Sequence, residues 1–144
     1  MGGTWNYCPA AFKQNVSVAV PQTSPDAQVE EPKWMPSGDH AGTKEPIFVS
    51  PMYRALDTNL PKELMQFSDK PFPAGAQALP HHPTVKEYIE EYADDVRNLI
   101  QFQTQVLDVR PSSSGTRKWD LTARNLRTGT RKTHVYDAVV VANG

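Results

Sequence analysis

The sequence predicts an α/β fold carrying a β-meander. Three observations predict it. Val85, Tyr88, Ile89, Tyr92, Ala93 and Val96 recur at helical spacing. Behind them, between residues 99 and 136, come three segments of alternating apolar and polar residues. The chain then reads Ala138-Val139-Val140-Val141-Ala142, a β-branched run of the kind found in strands buried on both faces of a parallel sheet.

The first segment, 1–20, opens on Gly2-Gly3-Thr4-Trp5. Paired glycines let the backbone approach a flat ligand closely, or turn at positive φ, or begin a free terminus. Residues 21–46 carry Pro21, Pro25, Pro32, Pro36 and Pro46 among acidic residues, serines and glycines. Proline removes backbone donors and biases its predecessor to extended backbone, so this stretch reads as an irregular, exposed loop or insertion. Trp34-Met35 is its one apolar anchor.

Segment 47–144 contains the regular structure. Pro51 suits a first helical position, so a short helix is expected over 51–56. Leu64, Met65 and Phe67 alternate loosely, as in a short strand, and 69–83 is a proline-broken loop. Thr84 with Glu87 forms a capping box, which places an amphipathic helix over about 84–97. Its acidic side is a solvated face, and Tyr88 and Tyr92 point to the core. Residues 99–109 read as a strand whose register breaks before Val109. Lys118–Leu126 and Thr133–Tyr136 form a hairpin about Arg127-Thr128-Gly129. The closing run, 138–142, needs neighbouring strands on both sides, and this sequence supplies too few. The chain is therefore expected to be a piece of a longer protein.

Composition bounds the function. The chain has 144 residues, a net charge of −1 and no apolar run near the ~18 residues of a membrane span. It offers no electrostatic attraction to nucleic acid or to an anionic membrane surface. Cys8 is the single cysteine, so no internal disulfide framework exists, which fits a reducing, cytoplasmic compartment, with the cytosolic face of a membrane as the alternative for a full-length protein. A hydrophobic content of 38% with thirteen prolines puts part of the chain outside any core. His81-His82 lacks a second ligand cluster at metal spacing and reads as loop surface. Arg124, Arg127, Arg131 and Lys132 read as a solvated hairpin tip, or else a phosphate patch.

The chemistry centres on Ala55-Leu56-Asp57-Thr58-Asn59-Leu60-Pro61. This is a polar turn between apolar residues, closed by a proline. Such a turn either joins two elements or presents amide and hydroxyl groups to a ligand. Asp57-Thr58-Asn59 with Pro61, Met65, Phe67 and Pro71-Phe72-Pro73, flanked by Gly2-Gly3-Thr4-Trp5 and by Asp137–Gly144, resembles the flavin-containing monooxygenases. The likeness covers residues 1–7 and 48–144 and implies a fragment of a Rossmann-like FAD/NAD(P)-binding fold. It implies FAD and NADPH as cofactors, with dioxygen and a small nucleophile, an amine nitrogen or a sulfide sulfur, as substrates. By the same likeness Gly2, Gly3, Thr4 and Trp5 lie along the flavin, and Thr58, Asn59 and Leu60 beside the flavin and nicotinamide. Asn59 is then the catalytic residue, and Val106 sits on the strand that meets the adenine. One departure matters. The glycines stand at 2, 3, 38, 42, 75, 115, 129 and 144, so no G-x-G-x-x-G turn exists for a pyrophosphate. A Baeyer–Villiger or N-hydroxylating relative is the runner-up. An inactive or interaction-only product of the same lineage is the competing class.

Overall fold

The structure is a computed structural model that describes residues 4–9, 29–36, 43–113, 115 and 117–142. Gly2 and Gly3 lie outside the described residues. Two compact units emerge. The described part of one is residues 4–9 and 49–100; that of the other is residues 29–36, 43–48, 101–113, 115 and 117–142.

The first unit is built on helices. Helix α1, Lys62–Met65, is a single turn. The alternation at Leu64, Met65 and Phe67 suggests a strand, but Leu64 N–H donates to Pro61 O at 3.0 Å and Gln66 N–H to Lys62 O at 3.0 Å. Pro61 pre-sets the backbone immediately before that turn, and the local hydrogen bonds outweigh a weak alternation. No helix follows Pro51. The backbone there turns, with Leu56 N–H donating to Tyr53 O at 3.1 Å.

Helix α2, His82–Tyr92, starts two residues before the expected capping box. His81 is the N-cap, Pro83 lies in the first turn, and no side chain caps the helix. Proline is favoured there because its missing N–H would be unpaired anyway. Thr84 is thus already helical, its N–H bonded to His81 O at 2.9 Å. After Tyr92 the coil tightens into a 3-10 helix, Asp94–Leu99.

The core of this unit is Phe72, Val85 and Tyr88, with Trp5, Met65, Ala76 and Ile89 packed against it. Tyr88 stacks on Phe72 with ring centroids 3.9 Å apart. Its buried hydroxyl accepts from Phe67 N–H at 2.7 Å and donates to Lys70 O at 2.5 Å, so it pins the loop that follows α1. Tyr92 departs from expectation. It is 40% exposed, stacks on Phe67 at 3.9 Å and donates to Asp69 at 3.2 Å. One turn along the helix from Tyr88, it faces the rim rather than the centre. The Asp69 carboxylate beside it raises the pKa of its hydroxyl, because a second negative charge there is disfavoured.

The second unit is antiparallel sheet. Strands β1, Lys33–Pro36, and β2, Lys44–Ile47, form a two-stranded ribbon pairing Trp34 with Pro46. The proline-rich stretch is therefore not wholly irregular. A two-stranded ribbon leaves one side of each strand unbonded, and proline is tolerated there. The remaining residues of 21–46 are described only at 29–32 and 43.

Strands β3, Thr104–Pro111, β4, Trp119–Asn125, and β5, Arg131–Tyr136, form the expected meander in the order β3-β4-β5. The expected break in register is a bulge between Val106 and Asp108. It brings Val109, like Val106, onto the face that carries Ala123 and Leu121. The β4–β5 turn is held by the Asn125 side chain, which accepts from Arg127 and Thr128 N–H at 3.0 Å each. Gly129 closes it at φ +71°, a left-handed conformation suited to glycine.

Residues 138–142 form no strand, and Val140 and Val141 are 88% and 75% exposed. The β-branched run is intrinsically strand-forming, but a parallel strand exists only through its neighbours. Among the described residues none is parallel to it.

Candidate functional site

The Asp57–Leu60 turn is built by pairing the segment 56–58 with 80–82. Asp57 and His81 form an antiparallel bridge. Thr58 N–H donates to Pro80 O at 3.0 Å, and His82 N–H donates to Leu56 O at 3.0 Å. The chain then reverses. Thr58 is buried at 7% exposure, and its hydroxyl donates to Leu60 O at 2.9 Å. That bond closes the turn from inside. Asn59 is exposed and Leu60 is half-exposed. The two residues following Thr58 therefore offer an uncharged amide and an apolar side chain to whatever meets the turn. Lys62 fastens the far side, with N–H to Ala78 O at 2.8 Å and Nζ to Ala76 O at 2.7 Å.

His82 does not lie on a loop surface, whereas His81 is partly exposed and bridges to Asp57. His82 is buried, and its Nε2 lies 3.3 Å from Arg54 O. His81 Nδ1 lies 2.9 Å from Asp57 Oδ1. The periodic pattern misses them because they precede it. The signal was Pro80 and Pro83 bracketing two residues able to bond in several directions. Among the described residues no three histidines, cysteines or carboxylates form a metal-binding group.

Thr4 is exposed, and Trp5 is half-buried against the Phe72–Val85–Tyr88 core in the same unit as the turn. The segment is held by Ser50 Oγ donating to Asn6 O at 2.7 Å and by Lys86 Nζ donating to Asn6 Oδ1 at 3.2 Å. Val106 belongs to the other unit, on β3 opposite Ala123. Ala123, Thr104, Asn125, Lys132 and His134 line an open groove of about 260 Å³ on that sheet. Arg124 is not solvated. It is 15% exposed and donates to Glu31 at 2.8 Å and to Gln105 at 2.7 Å. Its guanidinium, hydrogen-bonded to Glu31, lowers that carboxylate's pKa.

A family description, flavin-binding monooxygenase-like, matches residues 45–144. The chain belongs to this family. Its relatives agree. The chain is 36% identical over 105 residues to flavin-containing monooxygenase FMO GS-OX-like 1 of Arabidopsis thaliana, covering 68% of this chain and 22% of that one. It is 37% identical over 97 residues to flavin-containing monooxygenase 3 of Macaca mulatta, covering 65% of this chain and 18% of that one. Among solved structures it is similar to S-allyl-L-cysteine S-oxygenase from Allium sativum, at 28% identity and a TM-score of 0.62. That match covers all of this chain and 28% of the oxygenase. The chain thus spans between 18% and 28% of the length of these relatives. Family membership relates the chain to flavin-binding monooxygenases. No helix among the described residues is long and apolar enough to cross a membrane.

Proposed function

We propose that this segment forms part of a monooxygenase that uses FAD and NADPH to place one atom of dioxygen on a soft nucleophile, an amine nitrogen or a sulfide sulfur. Its architecture is read as part of a Rossmann-like FAD/NAD(P)-binding fold to which the meander belongs. The observation that carries the proposal is the Asp57–Leu60 turn, fixed from behind by a buried threonine and presenting Asn59 outward. The donor set fits a flavin ring and a nicotinamide: both are flat, largely uncharged and edged with amide-like groups. When bound, the flavin supplies the redox and oxygen-transfer chemistry. Asn59 donates and accepts hydrogen bonds without adding charge. Leu60, and Thr4 with Trp5, would cover the ring and keep water off it. Val106 beside its groove would meet the adenine. Gly2 and Gly3 would allow close backbone approach. The relative named as an S-oxygenase favours sulfur as the acceptor.

The residues do not supply a pyrophosphate site, since no glycine-rich turn of the G-x-G-x-x-G kind occurs in the sequence. The 144-residue protein, dialysed against FAD, is therefore expected to emerge colourless. A protein that unites this segment with such a turn is expected to be yellow, to oxidise NADPH and to convert a simple aryl sulfide to its sulfoxide. Conversion of a cyclic ketone to a lactone with the sulfide untouched would replace this reading with the Baeyer–Villiger one. Stoichiometric yellow loading of the 144-residue protein would show that the glycine turn is dispensable.

A further inference from the structure

The histidine pair grips the turn-bearing segment at several points. His82 N–H holds Leu56 O at 3.0 Å, and His82 Nε2 lies 3.3 Å from Arg54 O. His81 Nδ1 lies 2.9 Å from Asp57 Oδ1, and Pro80 O next to it accepts Thr58 N–H at 3.0 Å. Every residue from Arg54 to Thr58 except Ala55 is thereby tied to 80–82, and Asn59 follows directly. Hydrogen-bond chemistry fixes the two rings differently. A carbonyl oxygen only accepts, so His82 carries its proton on Nε2. A carboxylate only accepts, so His81 carries one on Nδ1. Two adjacent imidazoles thus use different nitrogens to hold one strand of chain. His82 is buried, with its ring 5.4 Å from that of Tyr7, so its orientation is fixed by packing. His81 is exposed and depends on Asp57.

We infer that His81 and His82 are positioning residues that set where the Asp57–Leu60 turn stands. The inference concerns the same site as the proposed function and rests on it only for its consequence in catalysis. The grip on the turn is tested independently of any flavin.

The test uses the two amides as imidazole mimics. The side-chain nitrogen of asparagine falls near the place of histidine Nδ1, and that of glutamine near Nε2. His81→Asn and His82→Gln should keep the bond each ring makes; His81→Gln and His82→Asn should lose it. In the 144-residue protein, hydrogen exchange of the Thr58 amide is expected to stay within about twofold of wild type in the first two variants. It should quicken about two- to fivefold in His81→Gln, as for an exposed charged pair, and about tenfold in His82→Asn, as for a buried bond. The Asn125 amide, in the other unit, should not change. Because His82→Asn risks unfolding its unit, the exposed side is tested separately. Asp57→Asn keeps an acceptor and should match wild type, whereas Asp57→Ala should match His81→Gln. Equal effects from both amides at each histidine, or none from any, would overturn the inference. In a flavin-loaded protein that unites this segment with a glycine-rich pyrophosphate turn, the variants that loosen Thr58 should also release more hydrogen peroxide per NADPH. If Thr58 exchange follows the tautomer pattern but peroxide yield does not, the grip stands and the flavin role of Asn59 fails.

Discussion

Asn59→Asp, in flavin-loaded protein that oxidises NADPH, is expected to turn oxygen transfer into peroxide release. The substitution keeps the side chain's volume, removes both amide donors and adds a negative charge on an exposed turn. A hydrogen bond lost in a water-poor pocket costs about 1–3 kcal/mol. That is roughly a ten- to hundredfold shorter lifetime for the oxygen-carrying state it supports. NADPH consumption should continue while peroxide becomes the main product. Thr58→Val should also raise peroxide release, but less than Asn59→Asp, because it loosens the turn through the lost bond to Leu60 O while leaving the Asn59 amide in place. The measurement is peroxide formed per NADPH consumed, with the flavin reduction rate followed separately. Unchanged coupling with only stability reduced would make Asn59 a turn residue and nothing more.

The second large effect is structural. Phe72→Ala is expected to destabilise the helical unit by about 3–5 kcal/mol, the usual cost of deleting a buried aromatic ring. Phe72 is 6% exposed, stacks on Tyr88 at 3.9 Å and sits among Val85, Trp5, Met65, Ala76 and Ile89. A loss of that size rivals the whole stability of a small domain, ~5 kcal/mol at the low end. Phe67→Ala should cost less, since Phe67 is 39% exposed and stacks on the rim tyrosine, Tyr92. Urea unfolding followed by fluorescence, with hydrogen exchange at the Val85 and Tyr88 amides, measures both. A change below about 1 kcal/mol for Phe72→Ala would show that the cluster does not hold the unit together.

The elements with a strong period were legible in the sequence. Helix α2 and the meander follow from apolar spacing, and the register break before Val109 showed as a skipped alternation. What escaped depends on contacts distant in sequence or on weak local patterns. Leu64, Met65 and Phe67 give too few residues to tell a strand from one helical turn. Pro83 outcompetes Thr84 for the helix start, and capping rules do not rank the two. Trp34 pairs with Pro46, twelve positions further along the chain, which no alternation inside 21–46 reveals. Val139 to Val141 have high strand propensity and no strand, because pairing is a property of neighbours. At the site, Thr58, Asn59 and Leu60 were legible as a turn. The histidines behind it were not. Their role comes from a bridge between Asp57 and His81 that only the folded chain brings together.

Chemical-shift mapping of the isotope-labelled 144-residue protein during titration with FAD tests the central claim most directly. Without a pyrophosphate turn the affinity should be weak, in about the millimolar range, which suits fast exchange on the NMR timescale. Thr4, Trp5, Thr58, Asn59 and Leu60 are expected to shift together and to saturate with one binding constant, while Leu64 and Val96 stay in place. Shifts confined to other surfaces, or a turn that stays unmoved while FAD binds elsewhere, would contradict the assignment of Asp57–Leu60 to the flavin.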